Sequence, residues 1–575
     1  MTAENTDIAR IFDQVADLLE VNGAGYYRVR AYRNASRVIR DLSTPLHVIA
    51  ASKDRKLEDL PGIGRDLAGR IREILETGDL ALMEDLEAQL PGSLLEVMKV
   101  PGLGPRKTHE LFLELGVTSL DTLEEATGSG KVRRLKGFGP KTERKILEGI
   151  HSIKGPGRRF FRSEAEVHAL SILEHMSAVP GLKRIEVAGS YRRLAETVGN
   201  LDVLVACGDT QAAIELFEEF APIARVIATG PTGSSVVIDP GIQVGMRVVD
   251  EDSFGASLLR FTGSKTHVLT LGRMALERGL KLNENGVFRE GKKAAGRTEE
   301  EVYAALGLPW IPPELRENRG EIRLAMEGLL PDLVNLEDIR GDLHIHTDAT
   351  DGKDSLQDMV AEARRRKYLF LAITNHSKRV PGGLDGRALL GHWRQVERLD
   401  AVTHGIHLLK GVEVDILPDG SLDLEDTILA RADYVVVAVH YDTEMSPTRM
   451  TGRVVRAINH PLVDTLAHPT GRRINKNPPY GANLEDIVMA AGRAGTCLEL
   501  NAAPNRLDID DLACRLAHDH GVKISIATDA HSLRGLDFMK HGINQARRGW
   551  LEKGDVLNAR TYRSLSKLLN RRRPA

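Results

Sequence analysis

The last third of the chain limits the possible folds most sharply. Seven apolar runs follow one another there: "GDLHIHT", "YLFLAITNH", "HLLKGVEVDI", "YVVVAVH", "DTLAHP", "TCLELN" and "KISIATDAH", with helical patterns between most of them. Short β-rich runs alternating with helices predict βα units, and hence a parallel sheet or barrel. Six of the seven runs carry a His, Asp or Glu at or near the C-terminal end. That is the rim on which βα barrels carry their catalytic groups.

The candidates on this rim are His344, His346, Asp351, His376, Glu413, His440, His468, Asp529 and His531. Residues i and i+2 of a strand share a face, which pairs His344 with His346 and Asp529 with His531. Imidazole nitrogens and carboxylate oxygens suit Zn, Mn or Fe. The three cysteines (Cys207, Cys497, Cys514) have no CxxC spacing and offer no thiolate site. Nine such residues exceed the needs of one ion, so two or three divalent ions sharing a carboxylate are expected. Ions so placed polarise a phosphoryl group and activate water for in-line displacement. Any one of these histidines alone reads as an ordinary core or surface residue, and the weight lies in their joint placement.

Residues 1–150 have a different texture, with "LEDLPGIGRDLAGRI", "VMKVPGLGPRKTHEL" and "VRRLKGFGPKTERKI" sharing an apolar lead, an x-G-x-G turn and a helical continuation. The glycines permit a tight turn, and the amides opening the next helix face an anion. Gly62, Gly64, Arg65, Arg70, Gly102, Gly104, Arg106, Lys107, Gly137, Gly139 and Lys141 are therefore candidate phosphate contacts. For a single such turn, packing in a helical bundle is the plainer reading. Three turns, the last within "KVRRLKGFGPKTERK" with seven Lys/Arg against one Glu, favour DNA held without sequence reading.

At 575 residues the chain is too long for one core. A net charge of −3 confines any nucleic-acid surface to local patches, and 4% aromatics argue against a stacking reader of single strands. The N-terminus has no basic-then-apolar leader, and no apolar run approaches ~18 residues, so a cytoplasmic, membrane-free monomer is expected.

The motifs also carry a family resemblance. "DLHIHTDATDG", "ITNHS", "GVEVDI", "AVH", "LAHP" and "ATDAH" resemble the successive motifs of the PHP (polymerase and histidinol phosphatase) phosphoesterase domain. The resemblance implies three sites for Mn²⁺ or Zn²⁺: His344, His346, Glu413 and Asp529; Asp351, His376 and His531; and Glu413, His440 and His468. Asn375 departs from the usual aspartate, and at most an indirect effect on His376 is expected. "AGSYRRLAETVGNLDVLV" resembles the palm motif of X-family DNA polymerases, and "RFTGSKTH" their YFTGS thumb motif. With the hairpins, this is the arrangement of the PolX family, an X-family polymerase fused to a PHP nuclease. The implied fold is multidomain α/β, with an all-α helix-hairpin-helix region, a mixed α+β palm and thumb, and a distorted (βα)7 barrel. The implied division is a helical DNA-binding domain (1–90), a fingers-like domain with two hairpins (91–158), palm (159–250), thumb (251–318), a helical connector with few constraints (319–337) and the PHP domain (338–575).

The palm departs from its family where the chemistry needs it. Of three expected metal-binding aspartates, the first is Asn200 and only Asp202 remains. The third, fifteen residues before the tyrosine position held here by Arg260, falls on Gly245. Asp239 and Asp250 are nearby but off register. One carboxylate leaves too little negative charge to keep two Mg²⁺ ions. Gly189, Ser190, Arg193, Phe261, Thr262 and Gly263 remain as implied nucleotide contacts, while Val268 replaces a polar base contact. Arg70 stands where some relatives have a Schiff-base lysine, and a guanidinium cannot serve as that nucleophile. The expected function is metal-dependent 3′–5′ DNA exonuclease action on gapped, nicked or 3′-ended DNA, with polymerase activity weak or lost. The alternatives are a gap-filling polymerase plus exonuclease of base excision repair that uses dNTP, a non-catalytic DNA-end scaffold, and a small-molecule phosphatase.

Overall fold

A computed structural model describes residues 5–570 except 23, 41, 43–45, 52–55, 78–79, 81, 84–85, 87–93, 99, 101, 136 and 155–158. Two compact units are present, Met1–Arg158 and Arg159–Ala575. No helix among the described residues is long and apolar enough to cross a membrane.

The first unit is helical. Its opening helix, Asn5–Val21, buries Ile8, Phe12, Val15 and Leu19. These lie three or four residues apart, which is one stripe of an α-helix. Phe12 meets Tyr32 of the next helix edge-on, with ring centroids 5.3 Å apart. The three glycine turns are built alike. Ile63, Leu103 and Phe138 donate their amides to the carbonyls of Leu60, Val100 and Leu135 at 3.1, 2.9 and 3.1 Å. The third residue of each turn is Gly62, Gly102 or Gly137, with φ of 78°, 89° and 88°. A positive φ at that place defines a type II turn and calls for glycine. Helices Arg65–Thr77, Pro105–Leu115 and Pro140–Lys154 follow directly.

In the second unit, β1 (Phe160–Phe161), β2 (Arg184–Val187), β3 (Thr197–Val198), β4 (Asn200–Ala206), β5 (Ile223–Gly230), β6 (Gly233–Ile238) and β7 (Ile242–Val248) come first. β1 pairs with β3, and the other five form one sheet in the order β2-β4-β7-β6-β5. Alternate residues of β4 (Leu201, Val203, Val205) enter the core and leave Asp202 on the opposite face. Helices Phe254–Thr262 and Lys265–Glu277 follow, then an antiparallel sheet of β8 (Leu280–Asn283), β9 (Gly286–Arg289) and β10 (Lys292–Ala295). These strands are only four residues each, too short to display a period in the sequence. The connector differs from its expected looseness. Glu321 is fully buried and accepts from His267 Nδ1 at 2.6 Å and from the amides of Asn318 and Arg319.

The last seven strands are β11 (Gly341–Ile345), β12 (Phe370–Ile373), β13 (His407–Asp415), β14 (Tyr434–Ala438), β15 (Thr465–Leu466), β16 (Cys497–Asn501) and β17 (Ile524–Ala527). They run parallel and in sequence order. Asp529 N donates to His344 O (3.0 Å) and His346 N to Ala530 O (2.9 Å), so the ring nearly closes between its first and last strands. Helices cover the sheet, which is why these strands read as continuous apolar runs rather than alternating ones.

Candidate functional site

The rim residues arrive from consecutive strand ends. His344 lies on β11 with His346 just past it, and Glu413 lies on β13. His376, His440 and His468 follow β12, β14 and β15, while Asp529 and His531 follow β17. His344 and His346 bring their Nε2 atoms to 3.1 Å from each other. Glu413 Oε2 lies 3.5 and 3.6 Å from these nitrogens, and its Oε1 lies 3.3 Å from His440 Nε2 and 3.2 Å from His468 Nε2. Oε2 also stands 2.6 Å from His376 Nδ1, so one carboxylate faces five imidazoles. Asp529 Oδ1 stands 3.3 Å from His346 Nε2, and Asp351 Oδ2 stands 3.4 Å from His376 Nε2 and 3.0 Å from His531 Nε2. His346 Nδ1 also comes within 3.5 Å of Asp351, so this residue borders two of the groups.

These side chains fit divalent ions. Three sets, His344/His346/Asp529, His346/Asp351/His376/His531 and His376/Glu413/His440, each bring their ligand atoms within 4.8 Å of one another. His346 Nδ1 and His468 Nδ1 are buried without a hydrogen-bond partner. Each such atom costs about 1–3 kcal/mol when left unmatched. His468 and Asp529 hold φ of 29° and 52°, a left-handed backbone that strains non-glycine residues.

Burial and charge oppose each other across the cluster. Burial pulls the His376 and His440 imidazoles down, but Glu413 and the carboxylates beside them win, to about 10 and about 9. His344 is likewise held well above its ordinary value against burial, by Glu499, Glu413 and Asp529. Burial prevails at His346, which falls to about 4, and lowers His468 with help from Arg506. Burial raises Glu413, yet the surrounding imidazoles take it well below the carboxylate range. The carboxylates that raise these imidazoles would favour a bound cation in the same way.

Two supporting carboxylates escaped the sequence reading. Glu499 on β16 accepts from His344 Nδ1 at 2.6 Å and from Asn501 Nδ2 at 2.9 Å, and Asn501 also bonds Asp529 Oδ2 at 3.0 Å. Asp415 accepts from His440 Nδ1 at 3.2 Å and from Arg379 at 2.7 Å. Such partners fix which ring nitrogen faces a metal. Asn375 bonds Thr347, Thr350 and His392 rather than His376.

In the palm, parallel pairing of β4 with β7 sets Asp202 directly opposite Gly245. Asn200 donates to Asp202 Oδ1 at 2.9 Å, and burial lifts the Asp202 pKa while Asn200, Arg247 and Arg193 pull it back. Among the described residues, no cluster able to hold an ion includes Asp202. Asp250 lies five residues beyond Gly245, and Asp239 four beyond the Ser235 paired with it, so each is over ~10 Å along its strand. A cleft of about 360 Å³ lies over the site, lined by Asp202, Gly245, Arg247 and Phe261 among others. Gly189 is needed where it is, because a Cβ there would stand 2.8 Å from Asp202 Oδ2. It opens the short helix Gly189–Arg192, which carries Ser190. Arg193 pairs with Glu317 (2.9 Å) and the Thr262 carbonyl (2.9 Å), and Gly263 N caps the preceding helix at Leu259 O.

In the first unit, Gly64, Gly104 and Gly139 precede their helices, and Arg65, Arg106 and Lys141 are exposed. Lys107 reaches the Gly102 carbonyl (3.2 Å) and lies over the Phe138 ring, joining two hairpins, whereas Arg70 pairs with Glu73 at 3.3 Å.

Five known family models match parts of the chain. A helix-hairpin-helix domain matches residues 3–80, a SAM-like helix-hairpin-helix tandem 94–152, the DNA polymerase beta palm 159–229, the DNA polymerase beta thumb 257–317 and the PHP domain 342–501. The chain is 24% identical to DNA polymerase lambda of Arabidopsis thaliana over 348 residues, 54% of this chain and 62% of that protein. It is 30% identical to a "Probable phosphatase" of Acetivibrio thermocellus over 200 residues, 33% of this chain and 78% of that protein. To the DNA polymerase/3'-5' exonuclease PolX of Bacillus subtilis it is 35% identical over 571 residues, 98% of this chain and 99% of that protein. With hairpins, palm, thumb and barrel in one polypeptide that matches along its full length, the chain belongs to the PolX family.

Proposed function

We propose that this chain is a metal-dependent DNA exonuclease of 3′–5′ polarity acting on the barrel rim, and that its palm holds DNA without polymerising. Glu413 carries the first part: its Oε2 faces His344, His346 and His376 and its Oε1 faces His440 and His468, as a carboxylate shared between ions would. In this reading His344, His346, Glu413 and Asp529 hold one ion, Asp351, His376 and His531 a second, and Glu413, His440 and His468 a third. Bound ions supply polarisation of the phosphoryl group and an activated water. Glu499 and Asp415 take the Nδ1 protons of His344 and His440, which turns each Nε2 lone pair into the cluster. The hairpins hold the duplex through its phosphates. The polarity follows the printed name of the Bacillus relative. Labelled primer on gapped DNA with Mn²⁺ should shorten from its 3′ end, and His344→Ala/His346→Ala should slow this at least about a hundredfold. Undiminished shortening by that variant overturns the reading.

The second part rests on Asn200 and Gly245 flanking the single carboxylate of Asp202. In the nuclease-dead background no Mg²⁺-dependent extension across a one-nucleotide gap is expected. Extension that Asp202→Ala abolishes would establish the alternative, a gap-filling polymerase, which the likeness to DNA polymerase lambda favours. A small-molecule phosphatase finds support only in relatives that match a third of the chain, and it leaves the hairpins without a role.

A further inference from the structure

The cavity over the metal cluster, about 440 Å³, is lined not only by ligands but also by Lys353, Arg473, Arg506 and Phe538. Several buried or half-buried arginines of this unit hold a carboxylate, as Arg192, Arg316, Arg379, Arg472 and Arg548 do. Half-buried Arg506 and exposed Arg473 do not. Neither guanidinium has a hydrogen bond or an ion pair among the described residues. Both nevertheless face one cavity: burial, and then the charge of Arg506, lowers the Arg473 pKa while Asp529 opposes this, and Arg506 in turn acts on buried Asp508. Two like charges facing one cavity repel each other, and an anion between them relieves the repulsion.

The pair is also held firmly. Arg472 bonds Glu196 of the palm at 2.6 and 3.3 Å and the Leu507 carbonyl at 2.5 Å. Ile474 N bonds Asn505 O at 2.9 Å, and Asn475 Nδ2 bonds the Arg159 carbonyl at 2.8 Å. The two loops that carry Arg473 and Arg506 are thus tied to each other and to the palm. A pre-set anion site costs less to occupy than one that must form on binding.

We propose that Arg473 and Arg506 form a phosphate subsite beside the metal cluster, which takes the phosphodiester next to the one cleaved, while Phe538 stacks on the terminal base. A lone phosphoryl group on two or three divalent ions needs no further cations, whereas a strand brings another phosphate with each nucleotide. The cavity has room for a nucleotide rather than a bare phosphoryl group. Guanidinium forks suit phosphate oxygens, and an aromatic face accepts any base. The subsite rests on the exonuclease reading and names the part of the substrate it grips.

The test compares the full chain with Arg473→Gln, Arg506→Gln and the double variant on a labelled single-stranded oligonucleotide and on bis(p-nitrophenyl) phosphate, which has one phosphodiester. Each substitution should raise the oligonucleotide KM about tenfold with little change in kcat. The salt slope of log(kcat/KM) should fall by about 0.7 per arginine. Hydrolysis of the small ester and the melting temperature should stay near wild type. Equal losses on both substrates, or variants that match wild type on the oligonucleotide, overturn the subsite alone. A wild-type chain inert toward the oligonucleotide overturns the exonuclease reading and the subsite with it.

Discussion

Glu413 owes its place to β13, but His344 owes its orientation to Glu499, which has no solvent contact and spends one oxygen on His344 Nδ1. Replacing Glu499 by Gln keeps the volume and removes the charge that fixes the ring. Metal affinity should drop about 10–100-fold, read by calorimetric titration of Mn²⁺ into chelator-treated protein, with the fold retained. An unchanged Kd removes the positioning role. The contrast with Glu413 explains what the sequence could and could not tell. The nine rim residues were legible because imidazoles and carboxylates recurred at strand ends, where barrel chemistry sits. Glu499 was hidden within "TCLELN", a run that reads as plain core. Its signal was there, since a carboxylate inside an apolar strand must have a partner. Arg473 and Arg506 gave no signal at all, because only the folded loops show that they face the metal cavity without an ion pair.

The register of β4 against β7 decides the palm. A Cβ added at Gly245 would meet Asp202 Oδ1 at 3.8 Å, an ordinary contact, so a side chain fits there. In the His344→Ala/His346→Ala background, Asn200→Asp/Gly245→Asp should therefore gain Mg²⁺-dependent insertion across a one-nucleotide gap. If the variant binds gapped DNA yet adds nothing, more than the missing carboxylates separates this palm from a polymerase. The hairpins give a second case. At Gly137, φ is 88°, and an alanine strains that turn by about 1–2 kcal/mol. Gly137→Ala should weaken binding of gapped DNA several-fold in fluorescence anisotropy, and an equal affinity would show that this hairpin does not touch the duplex. Turns and barrel strands were legible because glycine and apolar runs are strong local signals. The β8–β10 sheet was not, since four-residue strands carrying Lys281, Asn283, Lys292 and Lys293 resemble loops.

Within the second unit, palm, thumb and barrel are joined by buried charge rather than by apolar surface alone. Arg193, Glu317, Arg548 and Asp511 form one chain of ion pairs from palm to barrel. Glu299, 4% exposed, is held by Arg192 of the palm, by fully buried Arg316 and by Trp310 Nε1. Residues far apart in sequence meet here, so no local pattern announced the node. Burial raises the Glu299 pKa, but Arg316 and Arg192 prevail and set it at about 2 against an ordinary 4.5. A folded pKa below the unfolded one stabilises the fold in full above about 4.5, and that stabilisation is lost as pH falls through about 2. The difference corresponds to about 3 kcal/mol. Glu299→Gln leaves the Arg316 guanidinium buried without its counter-charge and should destabilise the unit by about 3–5 kcal/mol at neutral pH. The variant should also lack this carboxylate's share of the acid sensitivity. Urea denaturation of both proteins from pH 7 down to pH 3 reads the two effects together. The stability gap should narrow below about pH 4.5, where the wild-type carboxylate begins to lose its advantage, and a gap constant with pH would mean that Glu299 does not act through its charge.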